Sequence, residues 1–266
     1  MYIFAIIAIA QPRRNILMKI KTQLLLRIIF EGGTATMAIT KIDVSADTKN
    51  GIFVSSLPDK YRQEEFNIYA NFTLKHMSII KRASYLNERL DLHYETWKFV
   101  RYQEPKSDSS SPINSYRSVI DYKNWEHKYY CGYFEQEEIA MHLRKMIDDS
   151  ICLLSIATKV YFRTRKGLLR PFESIGEFIG QIDKFEGFGV FKSYLQEINE
   201  LSNGFKHCPA NTISTKIGLN EPCIYVYEND KNGETYCYKE GGVSISHLTE
   251  EYNKFYSKVN EIIKAE

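Results

Sequence analysis

Apolar side chains recur every three or four residues along most of this chain, which is the pattern of helices with one buried face. Residues 62–102 keep this spacing without any proline or glycine, and charged residues fill the opposite side. We therefore predict one long helix, or two in series, over this stretch. A stronger apolar pattern covers residues 134–162, and we expect this helix to be central because Ile151–Ala157 is apolar nearly all round. The inward positions of this helix are Ile139, Leu143, Met146, Ile147, Ile151, Leu154 and Val160.

Three further helices are indicated in the second half of the chain. A short helix is predicted to begin at Pro171, because proline is favoured at the first helical position. Another runs from about residue 188 to His207. A closing helix is capped by Ser246 and extends to about residue 263. The apolar positions of the helix that ends at His207 are Phe191, Leu195, Ile198, Leu201 and Phe205.

Residues 222–240 alternate between apolar and polar positions on both sides of a turn rich in Asp, Asn and Gly, which predicts a β-hairpin. A four-residue loop would place Tyr225 opposite Tyr238 and Tyr227 opposite Tyr236. The predicted fold is therefore mainly α: an antiparallel bundle of five or six helices with this β-hairpin inserted before the C-terminal helix.

The domain organisation is predicted to be simple. Residues 37–266 form a single helical domain, because helices with apolar faces lie on both sides of the only long polar stretch. That stretch, residues 103–116, is rich in serine and proline and is predicted to be a flexible loop.

The first 36 residues differ from the rest of the chain. They hold five basic residues and one acidic residue, and their first apolar run is too short to span a bilayer. Glu31-Gly32-Gly33-Thr34 is what a purine-rich GGAGG stretch would encode in this frame, as in a bacterial ribosome-binding site, and Met37 follows closely. Residues 1–36 are therefore predicted to be a misassigned leader or N-terminal extension; the alternative is a targeting segment.

Charge and cysteine usage narrow the function classes. The chain has 35 basic and 33 acidic residues, and without residues 1–36 the balance becomes −2, so no global electrostatic argument favours nucleic acid. The five cysteines include no C-x-x-C pair, which favours free thiols in a reducing cytoplasm. His207, Cys208, Cys223 and Cys237 are suitable zinc ligands by type, but their separations do not suit a closed site. We predict no metal, no cofactor and no membrane association.

Residues able to do chemistry collect near the end of the helix that finishes at His207. Asn199, Asn203 and His207 are spaced four residues apart, so they lie along one helix face, with Lys206 beside them. These side chains could bind a phosphate or a base edge, and His207 could act as a general acid or base near neutral pH. The alternative is an ordinary solvated face whose helix end is weakened by glycine.

Two other features have both a functional and an ordinary interpretation. The hairpin tyrosines Tyr225, Tyr227, Tyr236 and Tyr238 could stack on bases or bind a partner, or they could pack on neighbouring helices. The basic segment 163–170 could contact phosphates, or it could complement the dipole of the preceding helix.

The order of long helices and the sequence Ser202 to His207 resemble the HEPN superfamily. The resemblance implies a helical bundle, commonly dimeric, whose active members are metal-independent ribonucleases with an Arg-x(4–6)-His motif. Many act as toxins or in defence against phage. His207 matches the motif histidine and Asn203 the polar residue after the arginine. The arginine position falls on Ser202, with four residues between it and His207.

This departure from the motif shapes the functional expectation. A serine cannot neutralise the charge that develops on a scissile phosphate, whereas a guanidinium can. We expect a bacterial HEPN-like binding module without catalytic activity, linked to RNA in stress or phage defence, cytoplasmic and homodimeric, with an RNA or protein partner. One alternative is an active endoribonuclease that uses His207 with a cation from Lys206 or residues 163–170. Another is a purely structural protein-interaction domain.

Overall fold

Two long helices occupy the first half of the described chain. The computed structural model describes residues 39–44, 66–102, 112–207, 218, 220–229, 236–238 and 242–265, so the predicted leader lies outside the described residues. Helix α1 spans Phe66–Tyr102 and helix α2 spans Pro112–Thr158. They pack against each other along their length, more extensively than any other pair of elements.

Helix α2 begins much earlier than its apolar pattern predicted. Proline lacks the backbone N–H that the first helical turn leaves unpaired, and Pro112 is the first residue of α2. The prediction of a loop over residues 103–116 is therefore wrong for its last five residues, which are helical, and residues 103–111 lie outside the described part of the chain. The predicted start near Phe134 was late because residues 117–133 are aromatic and polar rather than periodic.

The C-terminal half of α2 is the centre of the molecule, as its sequence predicted. Residues Ile151–Ala157 are at most 1% exposed. Besides α1, this helix contacts the three later helices: α3 (Ile175–Ile179), α4 (Lys192–His207) and α5 (Ile245–Ala265). An element enclosed on all sides has no solvent-exposed face to mark with charged residues, which explains the nearly continuous apolar run.

Short helices link α2 to α4. Ser174 caps α3 by accepting a 3.4 Å hydrogen bond from the Glu177 N–H, so the prediction that Pro171 opens this helix is wrong by several residues. Single 3₁₀ turns follow at Ile182–Lys184 and Gly189–Phe191. Edge-to-face aromatic contacts hold this region on the bundle. These rings belong to Phe172, Phe178, Phe185, Phe188, Phe191 and Phe255.

The described residues contain three antiparallel pairs of short strands. Strands β1 (Phe162–Arg163) and β2 (Leu169–Arg170) form a hairpin after α2. Strand β3 (Cys223–Ile224) pairs with β6 (Val243–Ser244), directly before α5. The remaining pair is the predicted hairpin, β4 (Tyr227–Asn229) with β5 (Tyr236–Tyr238).

The predicted register of that hairpin is wrong. Tyr227 pairs with Tyr238 and Asn229 with Tyr236, so Tyr225 lies outside the hairpin strands. The alternating pattern continues unchanged when one strand slides by two residues, so the pattern could not distinguish the two registers.

Helix α5 closes the bundle with an apolar inward face. Leu248, Tyr252, Phe255 and Val259 are completely buried. The N-cap is Ser244 rather than the predicted Ser246, because the Ser244 Oγ accepts a 3.4 Å hydrogen bond from the His247 N–H. The mainly α fold is confirmed, with five α-helices in the described residues. None of the described helices combines the length and apolar character needed to cross a membrane.

Candidate functional site

Helix α4 has a buried apolar face and an exposed face that carries three of the predicted site residues. Leu195, Ile198 and Leu201 are completely buried and fix the orientation of the helix on the bundle. On the other side, Asn203, Lys206 and His207 are exposed. These three side chains form no hydrogen bond or ion pair within the described part of the chain. We call them the α4 end patch.

Asn199 does not share the environment of the α4 end patch. Its side chain is half-buried, and its Oδ1 accepts a 2.7 Å hydrogen bond from Nη1 of Arg144 on α2. The same Nη1 lies 2.8 Å from Oγ of Ser202, which is completely buried. The structure therefore brings an arginine from α2 to the position at which the HEPN motif would carry its own arginine.

Asp148 holds this arginine. The Arg144 Nε lies 3.3 Å from both carboxylate oxygens of Asp148, one helical turn away. Asp148 Oδ1 also accepts a 2.8 Å hydrogen bond from the Ile175 N–H at the start of α3. The exposed fractions of the Arg144 and Asp148 side chains are only 13% and 15%. This pair therefore connects α2 to α3 and α4 inside the molecule.

The electrostatics of Asp148 reflect this enclosed position. Burial raises the pKa of the Asp148 carboxyl, and the opposing effects of Arg144 and the Ile175 N–H only partly offset it. The Ser202 hydroxyl donates a 3.1 Å hydrogen bond to the Asn199 carbonyl, so its lone pairs face Arg144. The acceptors around Arg144 are thus a carboxylate, an amide oxygen and a hydroxyl, all supplied by the protein.

The four tyrosines predicted to bind lie in two places, three in the β4–β5 hairpin and one before it. The β4–β5 hairpin places Tyr227 opposite Tyr238, with Tyr236 opposite an asparagine. Tyr225 lies before this hairpin, and its N–H donates a 2.8 Å hydrogen bond to Oε1 of Gln136 on α2. A Cβ added at Gly242 would lie 2.8 Å from the Tyr225 ring, so this ring is packed against the backbone.

Metal ligands do not converge in the described residues, where no group of three or more His, Cys, Asp or Glu side chains could hold an ion. Cys131, Cys152 and Cys223 are free thiols. Burial raises the pKa of the Cys152 and Cys223 thiols to about 11. At neutral pH these two thiols are protonated, and a protonated thiol is a poor nucleophile and a poor metal ligand.

A second polar cluster lies between α1 and α2 and was not found from the sequence. Polar positions at three- and four-residue spacing on each helix face each other across the interface. We call this cluster the polar seam. It contains Lys75, Ser78, Arg82, Tyr85 and Arg89 of α1, with Glu138, His142, Lys145 and Asp149 of α2.

The polar seam is asymmetric in charge. Its four lysines and arginines face two carboxylates, those of Glu138 and Asp149. Asp149 is 1% exposed and lies 2.9 Å from the Lys75 Nζ and 3.0 Å from the Lys145 Nζ. Burial alone would raise the pKa of Asp149, but hydrogen bonds from Lys75, Ser78 and Lys145 hold it below its ordinary value. The three- and four-residue spacing of polar positions on α1 and α2 is visible in the sequence. It does not reveal which positions of the two helices contact each other.

No protein-family model, curated protein or solved structure matches this chain. The likeness of residues 202–207 to the HEPN motif therefore remains a resemblance in sequence. Function has to be inferred from the distances, burial and charge of the chain's own residues.

Proposed function

We propose that this chain is a binding module with an HEPN-like helix order that does not cleave RNA. The observation that carries the proposal is the state of Arg144. An HEPN ribonuclease needs its guanidinium free to face the scissile phosphate. Here the guanidinium is almost enclosed, and Asp148, Asn199 and Ser202 already accept its hydrogen bonds.

The cost of freeing Arg144 supports this proposal. Turning the guanidinium toward a substrate would leave the Asp148 carboxylate buried without its cation. Breaking a buried ion pair in this way costs about 3–5 kcal/mol. This free-energy cost would reduce the transition-state stabilisation that the arginine could provide.

The α4 end patch is the surface through which we propose that the module binds. Asn203 offers amide donors and an acceptor, Lys206 a cation and His207 an imidazole, all exposed on the last two turns of α4. Such a set can contact phosphates and base edges of RNA or a polar protein surface. We propose that the RNA-linked role belongs to stress or phage defence, and that the protein acts as a cytoplasmic homodimer.

A second candidate is an active endoribonuclease, and one distance favours it. The Arg144 Nη1 lies 2.8 Å from the Ser202 Oγ, so a guanidinium does reach the motif position through space. For catalysis, Arg144 would have to exchange its protein acceptors for a phosphate, with His207 as general acid or base.

An RNA-cleavage assay on the purified chain separates the two candidates. The binding proposal predicts no cleavage of single-stranded RNA and no growth defect on induced expression. Cleavage or toxicity that His207→Ala abolishes would establish the endoribonuclease instead.

Binding through the α4 end patch is tested with a labelled single-stranded RNA. We expect Lys206→Ala to weaken binding several-fold, as expected for the loss of a phosphate contact. Lys192→Ala is the matched control, because Lys192 is also an exposed lysine but lies at the opposite end of α4. Equal affinities for both variants and the unmodified chain would exclude RNA binding at this patch.

A further inference from the structure

Arg82, in the middle of the polar seam, has an unusual set of partners. Its Nη1 lies 3.1 Å from Nδ1 of His142, and its Nε donates a 3.2 Å hydrogen bond to Oγ of Ser78. A guanidinium carries only donors, so Nδ1 of His142 must be the acceptor. The His142 proton therefore lies on Nε2.

Asp149 helps to orient the guanidinium of Arg82 through a hydrogen bond with Ser78. The Ser78 hydroxyl donates a 2.8 Å hydrogen bond to Asp149 Oδ2, so its lone pairs are left to accept from the Arg82 Nε. Asp149 is itself held by the ammonium groups of Lys75 and Lys145. Arg82 is thus positioned by a relay of hydrogen bonds through Ser78. The Asp149 carboxylate at the end of this relay is already paired with two ammonium groups.

Two donors of this arrangement remain available. In the part of the chain that the structure describes, neither the Arg82 Nη2 nor the His142 Nε2 has a hydrogen-bond partner, and neither is closed off from solvent. Arg82 also has no carboxylate within ion-pair distance among the described residues. By contrast, Arg89 on the same helix face lies 3.1 Å from Glu138. The surface around Arg82 and His142 therefore presents two unpaired donors and positive charge, while Glu138, the exposed carboxylate of the polar seam, is paired with Arg89.

We propose that Arg82 and His142 form a binding site for one phosphate group, carried by a free nucleotide or by single-stranded RNA. The Arg82 Nη2 and the His142 Nε2 would donate to two phosphate oxygens. A guanidinium fixed in place by Ser78 and His142 loses little conformational entropy when it binds an oxyanion. The excess of positive charge in the polar seam favours a phosphate over a singly charged carboxylate. The site goes beyond the proposed function, because it lies on α1 and α2 and requires nothing of residues 202–207.

The protonation of His142 is consistent with this site. Burial lowers the pKa of His142, and the nearby Arg82 and Arg89 lower it further, while Glu138 opposes them. The Tyr85 ring also lies against this imidazole, with 4.7 Å between the two ring centroids. At pH 7 the imidazole is neutral, so its hydrogen bond from Arg82 is intact. A bound phosphate adds negative charge nearby and will raise the pKa of His142.

The primary test is titration of the full chain with inorganic phosphate, followed through the NMR resonances of the His142 ring. We expect saturable shifts and an increase in the pKa of His142. Arg82→Gln should weaken phosphate binding by about tenfold or more, the effect of losing a charge-assisted hydrogen bond. Lys81→Gln removes the same charge from the exposed neighbouring position and should change the affinity less than twofold.

Arg82→Lys provides a second variant in case Arg82→Gln disturbs the helix interface. It keeps the charge but loses the guanidinium fork, so we expect an affinity between those of the unmodified chain and Arg82→Gln. Resonances of His142 that do not move at tens of millimolar phosphate would overturn the proposal. Equal losses of affinity in Arg82→Gln and Lys81→Gln would also overturn it, since they would indicate general charge attraction.

The source of the phosphate is distinguished with three further probes: a nucleoside monophosphate, and one single-stranded RNA with and without a 5′-phosphate. Tight binding of the monophosphate, or a requirement for the 5′-phosphate, would identify a terminal phosphate. Equal binding of both RNAs would identify a backbone phosphate. In that case the slope of the logarithm of the RNA association constant against the logarithm of the salt concentration should be smaller in magnitude by about 0.7 in Arg82→Gln than in the unmodified chain. Failure of all three probes to compete with inorganic phosphate would overturn both named sources. RNA cleavage, which tests the proposed function, is measured separately and does not depend on any of these results.

Discussion

Arg144 and Arg82 are both partly buried arginines that reach across a helix interface, yet their surroundings differ. Arg144 lies against the Asp148 carboxylate, and protein groups accept its hydrogen bonds. Arg82 donates to the neutral His142 and to Ser78, and it reaches an aspartate only through that serine. The neighbouring carboxylates Asp148 and Asp149 thus support the two arginines differently. A guanidinium whose charge is already paired serves the fold, whereas one that faces a neutral acceptor can still bind an anion.

The largest expected effect is a loss of stability on removal of Arg144, the arginine whose charge is paired. Arg144→Ala should lower the free energy of unfolding by about 3–5 kcal/mol, because it leaves the mostly buried Asp148 carboxylate without its hydrogen-bonded cation. Arg82→Ala should cost less than about 1 kcal/mol, because it leaves no charge unpaired. Urea unfolding at pH 7 measures both. Similar losses in the two variants would mean that the two arginines do not differ in role.

Asp149→Asn tests the carboxylate that Ser78 links to Arg82. We expect a loss of about 2 kcal/mol at pH 7, since hydrogen bonds from Lys75, Lys145 and Ser78 to a charged acceptor are weakened. The folded-state pKa of Asp149 lies below its ordinary value, so its contribution is present above about pH 4 and is lost as the pH falls through the folded pKa. The measurement is the difference in unfolding free energy between the unmodified chain and the variant, as a function of pH. A difference that grows in acid would contradict the assignment.

Ser78→Ala sharpens the comparison without removing a charge. The serine is the only hydrogen-bonded link from Arg82 to Asp149 in the described residues. Its loss should cost about 1 kcal/mol of stability. Phosphate binding at Arg82 should weaken by a few-fold, because the guanidinium is less well oriented. Calorimetric titration with phosphate checks this, and unchanged affinity would show that the relay does not position the arginine.

The smallest expected effect concerns the exposed end of α4. His207→Ala should change the free energy of unfolding by less than about 0.5 kcal/mol, because the His207 side chain is exposed and forms no hydrogen bond in the described structure. Thermal unfolding is sufficient to measure it. A loss above 1 kcal/mol would place His207 in the folded core network rather than on a binding surface.

The apolar faces of this protein could be predicted from the sequence, whereas its polar contacts could not. Residues such as Leu195 in α4 and Tyr252 in α5 repeat at helical spacing, and burial requires only that the repeat be apolar. The hairpin register was not predictable because two-residue slides preserve the alternation. The early start of α2 at Pro112 was hidden by serines and prolines that are typical of loops.

The candidate site was predicted only in part for a related reason. The exposed residues of the α4 end patch follow from spacing on one helix. The contact between Arg144 and Ser202 joins two helices far apart in the sequence, and so does the contact between Arg82 and His142. Polar pairs across an interface depend on the rotation and offset of both helices, and neither quantity is encoded in the period of one helix.

The central claim is that Arg82 is open to an anion while Arg144 belongs to the fold. Its most direct test is the increase in the free energy of unfolding that inorganic phosphate produces, because a ligand that binds only the folded state stabilises it. The increase should be present in the unmodified chain and in His207→Ala, and it should be much smaller in Arg82→Gln at the same phosphate concentration. An undiminished increase in Arg82→Gln, or one that disappears in His207→Ala, would contradict the claim.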